Sequence, residues 1–572
     1  MLKKSLTVLF VVLTATSLVF AQASKQVFDK APKPVFENLA LEKNLPGSNP
    51  ILPHTATAVL IGKMWNAYTT QASYTNQIFT DPFSGLISVI HRVDRTGPGS
   101  GRIVYQASDD GGQNWTPQIG PMNLAPWNLG RHPNIVLSNP TKSTTPGEQV
   151  PVAGWAELSA SWYWYQFAKD ASIGASNFTQ YIDSTYYPGD EMFINSQGHV
   201  FATVENIDPV AYGTDTVFYH LFVSTDEGNT WNKYPLAKYG DFDTYNGMKG
   251  FINKNGVGYI VVEGQDPANP GVYTFGYKKT TDDGATWDAN WTWVNPYTLP
   301  ALNGKVHALN YEVDAIVDGD GNLHFAGTFV DTSTNANTGI YHIWGQGTNW
   351  DAELVSLVNV TGRSLPGGLS TLNEVEFATN WDGTVGVIKW CDVPTQNDSL
   401  YDVFMMPVWG AEKTKVNVTQ TANVHEKYSQ TSAYGYMEDP TTFRVDCMYT
   451  IFGNGDTNDL GESELWYLSG VTFTLTGVND PVTTPNKFEL EQNYPNPFNP
   501  STTIRFTIPE KSNVTLKVFD MLGREVTTLV NEVKDAGTHK VTFDASNLTS
   551  GMYLYTINAG NFTATKKMIL VK

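Results

Sequence analysis

Only two cysteines, Cys391 and Cys447, occur in 572 residues, which excludes a disulfide framework and any cysteine-rich metal site. They stand 56 residues apart; in an exported chain they can pair or act as two small buried hydrophobes, and the sequence leaves both open. Arginine is just as sparse where it would matter, with Arg363 alone between His132 and Phe443. A clamp of several fixed bidentate cations for an anionic ligand is therefore hard to build in the middle of the chain. Basic residues number 36 against 56 acidic ones, a formal charge of −20. Most of such a surface repels phosphate backbones and anionic lipid, which excludes a nucleic-acid or membrane-surface role. Beyond the N-terminus no apolar run is long enough to cross a bilayer. No G-x-S-x-G elbow, H-E-x-x-H pair or phosphate loop occurs. The ten histidines lack ligand spacing, so His307 and His342 read equally as structural residues or as ligands.

What is present is an apolar and aromatic chain, 41% hydrophobic and 13% aromatic, long enough for more than one core. Met1 to Ala21 reads as a signal peptide: Lys3 and Lys4, an apolar run from Leu6 to Phe20, and small residues before Gln22. The expected order is signal peptide 1–21, an N-terminal extension 22–54, a main β domain 55–478, a linker 479–487 and a small C-terminal domain 488–572. No transmembrane segment is expected in the mature chain.

Three eight-residue turns share the pattern [ST]-x-D-x-G-x-[TN]-W. They are built on Ser108, Asp110, Gly112 and Trp115, on Ser224, Asp226, Gly228 and Trp231, and on Thr280, Asp282, Gly284 and Trp287. Asp and Ser/Thr side chains bond turn amides, Gly takes positive φ, and Trp fills the gap beneath. The pattern resembles the Asp box (BNR repeat) of the sialidase-like β-propellers. Between about Thr55 and Gly477 the chain repeats a four-strand plan. First hairpins turn at Asn195–Gly198, Asn253–Gly256, Asp318–Asn322 and Trp381–Gly383. Gly347-Thr348-Asn349-Trp350 resembles an eroded fourth box. Units begin near residues 70, 130, 188, 243, 305, 367 and 425. The expected class is all-β: a propeller of seven blades, six being the alternative count, followed by a small immunoglobulin-like β-sandwich.

The C-terminal stretch contains Tyr494-Pro495-Asn496-Pro497-Phe498-Asn499-Pro500, then Val518 to Val526, Phe543-Asp544-Ala545 and Lys566-Lys567-Met568. It resembles the type A C-terminal sorting domain of the type IX secretion system. Read by itself it is a run of alternating strands. The resemblance implies partnership with the type IX machinery, export across the outer membrane, and a destination at the cell surface or outside the cell.

Within the propeller, hairpin turns and boxes fall at one end of each blade, and long blade-to-blade and second-to-third-strand loops at the other. Long loops on a rigid scaffold are where binding concentrates. The candidate ligand face carries Arg131, Glu191, Glu263, Tyr311, Glu438 and Asp439, with Glu312, Glu374 and Glu376 near the starts of inner strands. Such a rim suits polyhydroxy ligands, supplies oxygens for Ca²⁺, or pairs carboxylates for glycoside cleavage. Asp318 to Asn322 has a calcium-loop look, but a tight turn accounts for it, and no metal site is assigned. The structural alternative is a set of solvated acidic loops. Trp162 to Tyr165 suits either a sugar platform or the space between blades. Sialidases, which the boxes resemble, use three arginines and a Tyr/Glu pair; the missing arginines argue against that activity. The favoured function is binding of an extracellular glycan or protein. The rival is a hydrolase or lyase on neutral polysaccharide, with Glu312 and Glu374 as acid and base.

Overall fold

The computed structural model describes Leu52–Pro53 and residues 56–571, apart from 66–74, 94–100, 125–129, 158–163, 207–216, 239–240, 242, 270–272, 308–312, 332–338, 360–362, 365–369, 372, 395–399, 420–425, 453–461, 476–487, 491–492, 494–495, 497, 510, 535–536 and 561. It divides into two compact units, Met1–Thr476 and Gly477–Lys572.

Among the described residues of the first unit the apolar runs form seven main antiparallel sheets in chain order, beside a separate two-stranded and a separate three-stranded one. Blade 1 holds Ile78–Thr80, Ile87–Val93 and Arg102–Ser108; blade 2 spans Gly130–Ser138 to Phe178–Asp183; blade 3 spans Tyr186–Ile194 to Asn232–Lys238. Blade 4 spans Asp243–Ile252 to Thr292–Val294, blade 5 Lys305–His307 to Asn349–Leu357, and blade 6 Glu376–Thr379 to Val416–Asn417. Blade 7 takes three strands from the end of the unit, Lys427–Thr431, Cys447–Phe452 and Glu462–Ser469, and its fourth from the beginning, Thr57–Trp65. That strand pairs antiparallel with Glu462–Ser469, so the two ends of the unit share one sheet. Leu52–Pro53 adds a parallel pair to the outer strand of blade 6.

Inner strands neighbour one another in ring order, and that of blade 7 closes on that of blade 1. Side chains stitch the seams. The Gln77 amide donates to Gln430 Oε1 at 2.6 Å, Asn76 N to Asn134 Oδ1 at 2.6 Å, and Phe377 N to Asp314 Oδ2 at 2.7 Å. The first unit is a seven-bladed β-propeller, and the alternative count of six falls. A ring of stacked blades leaves few free edges for an all-β chain.

The three repeated turns have one geometry. In the first, Gly112 N donates to Ser108 Oγ at 2.9 Å, Ser108 Oγ to Asp110 Oδ1 at 2.8 Å, and Asn114 N to Asp110 Oδ1 at 3.0 Å. Thr230 and Thr286 repeat the last contact with Asp226 and Asp282. Two of the tryptophans lean on the preceding blade: Trp115 on Tyr467 of blade 7, Trp231 on Phe167 of blade 2. Trp350 of the eroded turn does the same to Phe275 of blade 4, and bonds Gly347 O as Trp115 bonds Gly112 O. The turns are thus inter-blade wedges. Cys391 and Cys447 are both buried and are not joined to each other, and the Cys391 thiol donates to Glu374 Oε2 at 3.0 Å.

The second unit is a sandwich of a three-stranded sheet, Glu489–Leu490, Ser501–Ile508 and Gly537–Asp544, and a four-stranded sheet of Glu525–Lys534, Ser512–Phe519, Gly551–Ala559 and Phe562–Leu570. Strict alternation along Ser512–Phe519 buries Val514, Leu516 and Val518. The Phe498 amide donates to Ile569 O, and Val571 N donates to Phe498 O, both at 2.9 Å. The described part of the motif therefore pairs with the last strand; Tyr494, Pro495 and Pro497 lie outside the described residues.

Candidate functional site, a blind polar well

The propeller axis is blocked at the hairpin end. Past its inner strand, blade 7 sends Tyr434 to the centre, where its ring meets Phe251 of blade 4 at 5.0 Å, Trp381 of blade 6 at 5.6 Å and Phe79 of blade 1 at 6.1 Å. The Tyr434 hydroxyl donates to Ile252 O at 3.1 Å. Trp381 is in turn covered by Phe83 at 4.7 Å. Aromatic rings from four blades fill the axis, as large side chains do in closed β architectures.

Above this plug the inner strands turn polar. Thr75, Asn76, Glu191, Lys249, Asp314, Glu376 and Thr431 line a space of about 20 Å³, room for one water-sized occupant. Glu191 faces Lys249 at 3.3 Å, and Glu376 faces Lys389 at 2.8 Å. Lys389 is wholly buried and also donates to Glu374 O at 2.7 Å and to Ser429 O at 2.9 Å. Asp314 accepts from the amides of Phe377 and Ala315; Glu376 accepts from Thr431 N at 2.7 Å.

Two lysines among these carboxylates leave negative charge in excess. Burial pushes the Glu191 carboxyl up to about 8 against the pull of Lys249, with Asp314 adding to the rise. Burial likewise raises Glu376 to about 7 against Lys389, and it raises Asp314. Burial alone would lower Lys389, but Glu376 and its other anionic neighbours carry it above its ordinary value. Desolvation thus dominates each carboxylate, and the floor holds protons near neutrality.

The sequence-named residues fall in several places. Glu191 is on the floor. Glu374 is fully buried at positive φ, 48°. Its carboxylate accepts from Tyr428 N at 3.0 Å, Ser429 N at 2.8 Å, Ser429 Oγ at 2.9 Å and the Cys391 thiol at 3.0 Å. That side chain braces blade 6 against blade 7. Tyr311 and Glu312 lie outside the described residues, as do most of the long loops. Glu263 is buried in the second strand of blade 4. Arg131 is half-buried beside His132, whose φ is 48°.

Glu438 and Asp439 do not begin an inner strand. The inner strand of blade 7 is Lys427–Thr431, and an added hairpin, Tyr436–Asp439 with Thr442–Arg444, follows it. Arg444 of that hairpin donates to Gly85 O in the first hairpin turn of blade 1 at 3.0 Å, so the pair belongs to the turn end of the ring. Asp439 is exposed, and Thr441 and Thr442 bond its carboxylate and hold it down at about 2. Asp318 caps its own turn, accepting from the amides of Asp320 and Asn322, the tight-turn reading. Among the described residues no group of three or more His, Cys, Asp or Glu is arranged to hold a metal ion. Tyr165 is buried against Phe167 at 4.2 Å, a packing role; Trp162 and Tyr163 lie outside the described residues.

Sequence reasoning passed over Lys249, Asp314 and Lys389. The signal was there for Lys389: one cation within Val387-Ile388-Lys389-Trp390-Cys391, a strand otherwise buried and apolar, needs a buried anion beside it.

Comparison with known proteins separates the two units. Residues 492–572 match the family model of the secretion system C-terminal sorting domain. The protein is therefore addressed for export, to the cell surface or beyond it, and no described helix is long and apolar enough to cross a membrane. No curated protein matches the chain. Among solved structures it is similar to PorZ, described as an essential surface component of the type-IX secretion system of Porphyromonas gingivalis, at 13% identity and a TM-score of 0.34. That likeness covers 85% of this chain and 58% of PorZ, so the chain spans little more than half of PorZ's length. It is also similar to the polysaccharide lyase Uly1, at 10% identity and a TM-score of 0.42 over 69% of this chain and 90% of that one. A third is the β-propeller domain of the Trilobed protease from Pyrococcus furiosus, 6% identical with a TM-score of 0.33, covering 63% and 89%. These likenesses concern the fold alone.

Proposed function

We propose that the protein is an exported, surface-displayed propeller that binds an extracellular ligand, a glycan or a protein, at the loop-bearing rim of its well. One observation carries the reading. The carboxylates at the base of the well are engaged by Lys249, Lys389 and backbone amides. Contact with a polymer then falls to the rim above. The repeated turns resemble those of sialidase-like propellers, but Arg363 stands alone between His132 and Phe443, so a carboxylate clamp is not part of this proposal. The test is to present the mature chain with immobilised neutral, acidic and sialylated glycans and with surface-protein extracts, and to look for saturable binding without new products.

Hydrolysis or lysis of a neutral polysaccharide is the second reading, favoured by one feature: Glu191 and Glu376 carry raised pKa values beside a water-sized space. A carboxyl held protonated near neutrality suits a general acid. In that reading Glu376 is the general acid, the role the sequence suggested for Glu312, and Glu374, suggested as the base, is set aside because its carboxylate is already bonded on both oxygens. Loss of products in Glu376→Gln would support it.

A further inference from the structure

Away from the well, two buried imidazoles of blade 5 stand against blade 6. His324 Nδ1 and His342 Nε2 stand 2.8 Å apart with their rings nearly parallel. The far nitrogen of His342, Nδ1, lies 3.1 Å from Glu353 Oε1. The far nitrogen of His324, Nε2, lies 3.2 Å from Asp318 Oδ2, close enough for an ion pair but off the line of a hydrogen bond. Lys413 of blade 6 donates to both Glu353 oxygens at 2.6 and 2.7 Å. Trp409 of blade 6 covers His324 at 3.9 Å. Asp318, Glu353 and Lys413 are the charged groups facing the pair; Trp344, Phe377 and Trp409 supply the rest of its surroundings.

Proton bookkeeping makes this arrangement informative. Three junctions run from carboxylate to imidazole to imidazole to carboxylate, and each needs one proton between its two atoms. Two neutral imidazoles carry two protons. With both carboxylates ionised, one junction must set a nitrogen lone pair against an oxygen or another lone pair. The misaligned Asp318–His324 contact is the junction expected to go without.

We infer that His324 and His342 form one proton-gated latch within blade 5, on the face that packs against blade 6, open at one junction with two protons and closed at all three with a third. The third proton makes one imidazolium shared by both rings, balanced by Asp318 and Glu353. Burial pulls both imidazoles below their ordinary value, so closure belongs to the acid side of neutrality. The latch reaches the well through Phe377, whose ring meets His342 at 5.9 Å and whose amide donates to Asp314.

Glu353→Gln tests this sharply. A glutamine whose oxygen keeps Lys413 donates its amide to His342 Nδ1, so two protons then satisfy all three junctions and a third must turn the amide against Lys413. Imidazole ¹⁵N resonances of the full mature chain, followed from pH 8 to pH 3, should show both rings of the wild type shifting together at one pH below 6.5. Lys413→Ala, which removes a charge but leaves the junction count alone, should keep that joint transition. In Glu353→Gln it should vanish while the fold persists by circular dichroism. Independent titration of the two rings, no transition in the wild type, or an unchanged transition in Glu353→Gln would each overturn the latch.

Discussion

The Tyr434 hydroxyl of blade 7 donates to the carbonyl of Ile252 in blade 4, 3.1 Å away across the propeller axis. One bond thus ties blades that share no seam, and it fixes the ring that seals the well from below. Tyr434→Phe keeps the packing and removes the bond, leaving Ile252 O unsatisfied in an apolar setting. The expected cost is about 1–3 kcal/mol, measured by urea or guanidinium unfolding.

Lys389 is the counter-charge at the Glu376 side of the well. Replacing it with methionine leaves Glu376 buried without its cation and removes the donor to Glu374 O and Ser429 O. Breaking one side of a buried pair costs about 3–5 kcal/mol. The double variant Lys389→Met/Glu376→Gln should recover a substantial part of that loss, which a double-mutant cycle in thermal unfolding would read.

Stability should fall as pH rises across the neutral range. Glu376 and Glu191 have folded values of about 7 and about 8, above the ordinary 4.5. Between 4.5 and those values the folded chain keeps protons that the unfolded chain has released, so the slope of unfolding free energy against pH is negative. The contribution is complete below about pH 4.5 and lost as pH passes through 7 to 8. Glu191→Gln and Glu376→Gln should each flatten this fall in Tm between pH 5 and 8.5; an unchanged slope in both would remove the floor as its source.

The fold was readable because it rests on local chemistry. Asn253 and Gly256 make a hairpin whatever surrounds them, and Ser108, Asp110 and Gly112 bond one another within five residues. The well was legible only in part. Glu191 could be named from its place in an inner strand, but its partner Lys249 comes from the next blade and their pairing depends on how the blades pack. Glu438 and Asp439 misled because an added hairpin displaces them, and a hairpin signal does not say where along the axis it falls. The fourth strand of blade 7 was also hidden, since Thr57–Trp65 pairs with residues some four hundred positions later.

That closing strand has a measurable consequence. A chain starting after Trp65 exposes the Glu462–Ser469 edge, whose paired N–H and C=O groups then seek another strand. Self-association by light scattering and a broad, non-cooperative thermal transition are expected, where the intact chain melts in one step for this unit.

Gly112 has φ 81°, and a Cβ placed there would stand 1.9 Å from the Tyr467 ring; at Gly228 the nearest atom is a Val152 methyl at 2.9 Å. Gly112→Ala should lower stability by about 1–3 kcal/mol or more and exceed the effect of Gly228→Ala, because the first wedge bears on the blade that closes the ring.

The central claim is that contact with an extracellular polymer occurs at the rim and that the floor beneath is structural. Incubating the mature chain with a panel of neutral, acidic and sialylated glycans, and following both retention on the immobilised ligand and new products by mass spectrometry, tests it most directly. Retention with every glycan recovered intact, and unaltered in Glu376→Gln, is the predicted result. Shortened or unsaturated products that disappear in Glu376→Gln would contradict it and make the well an active site.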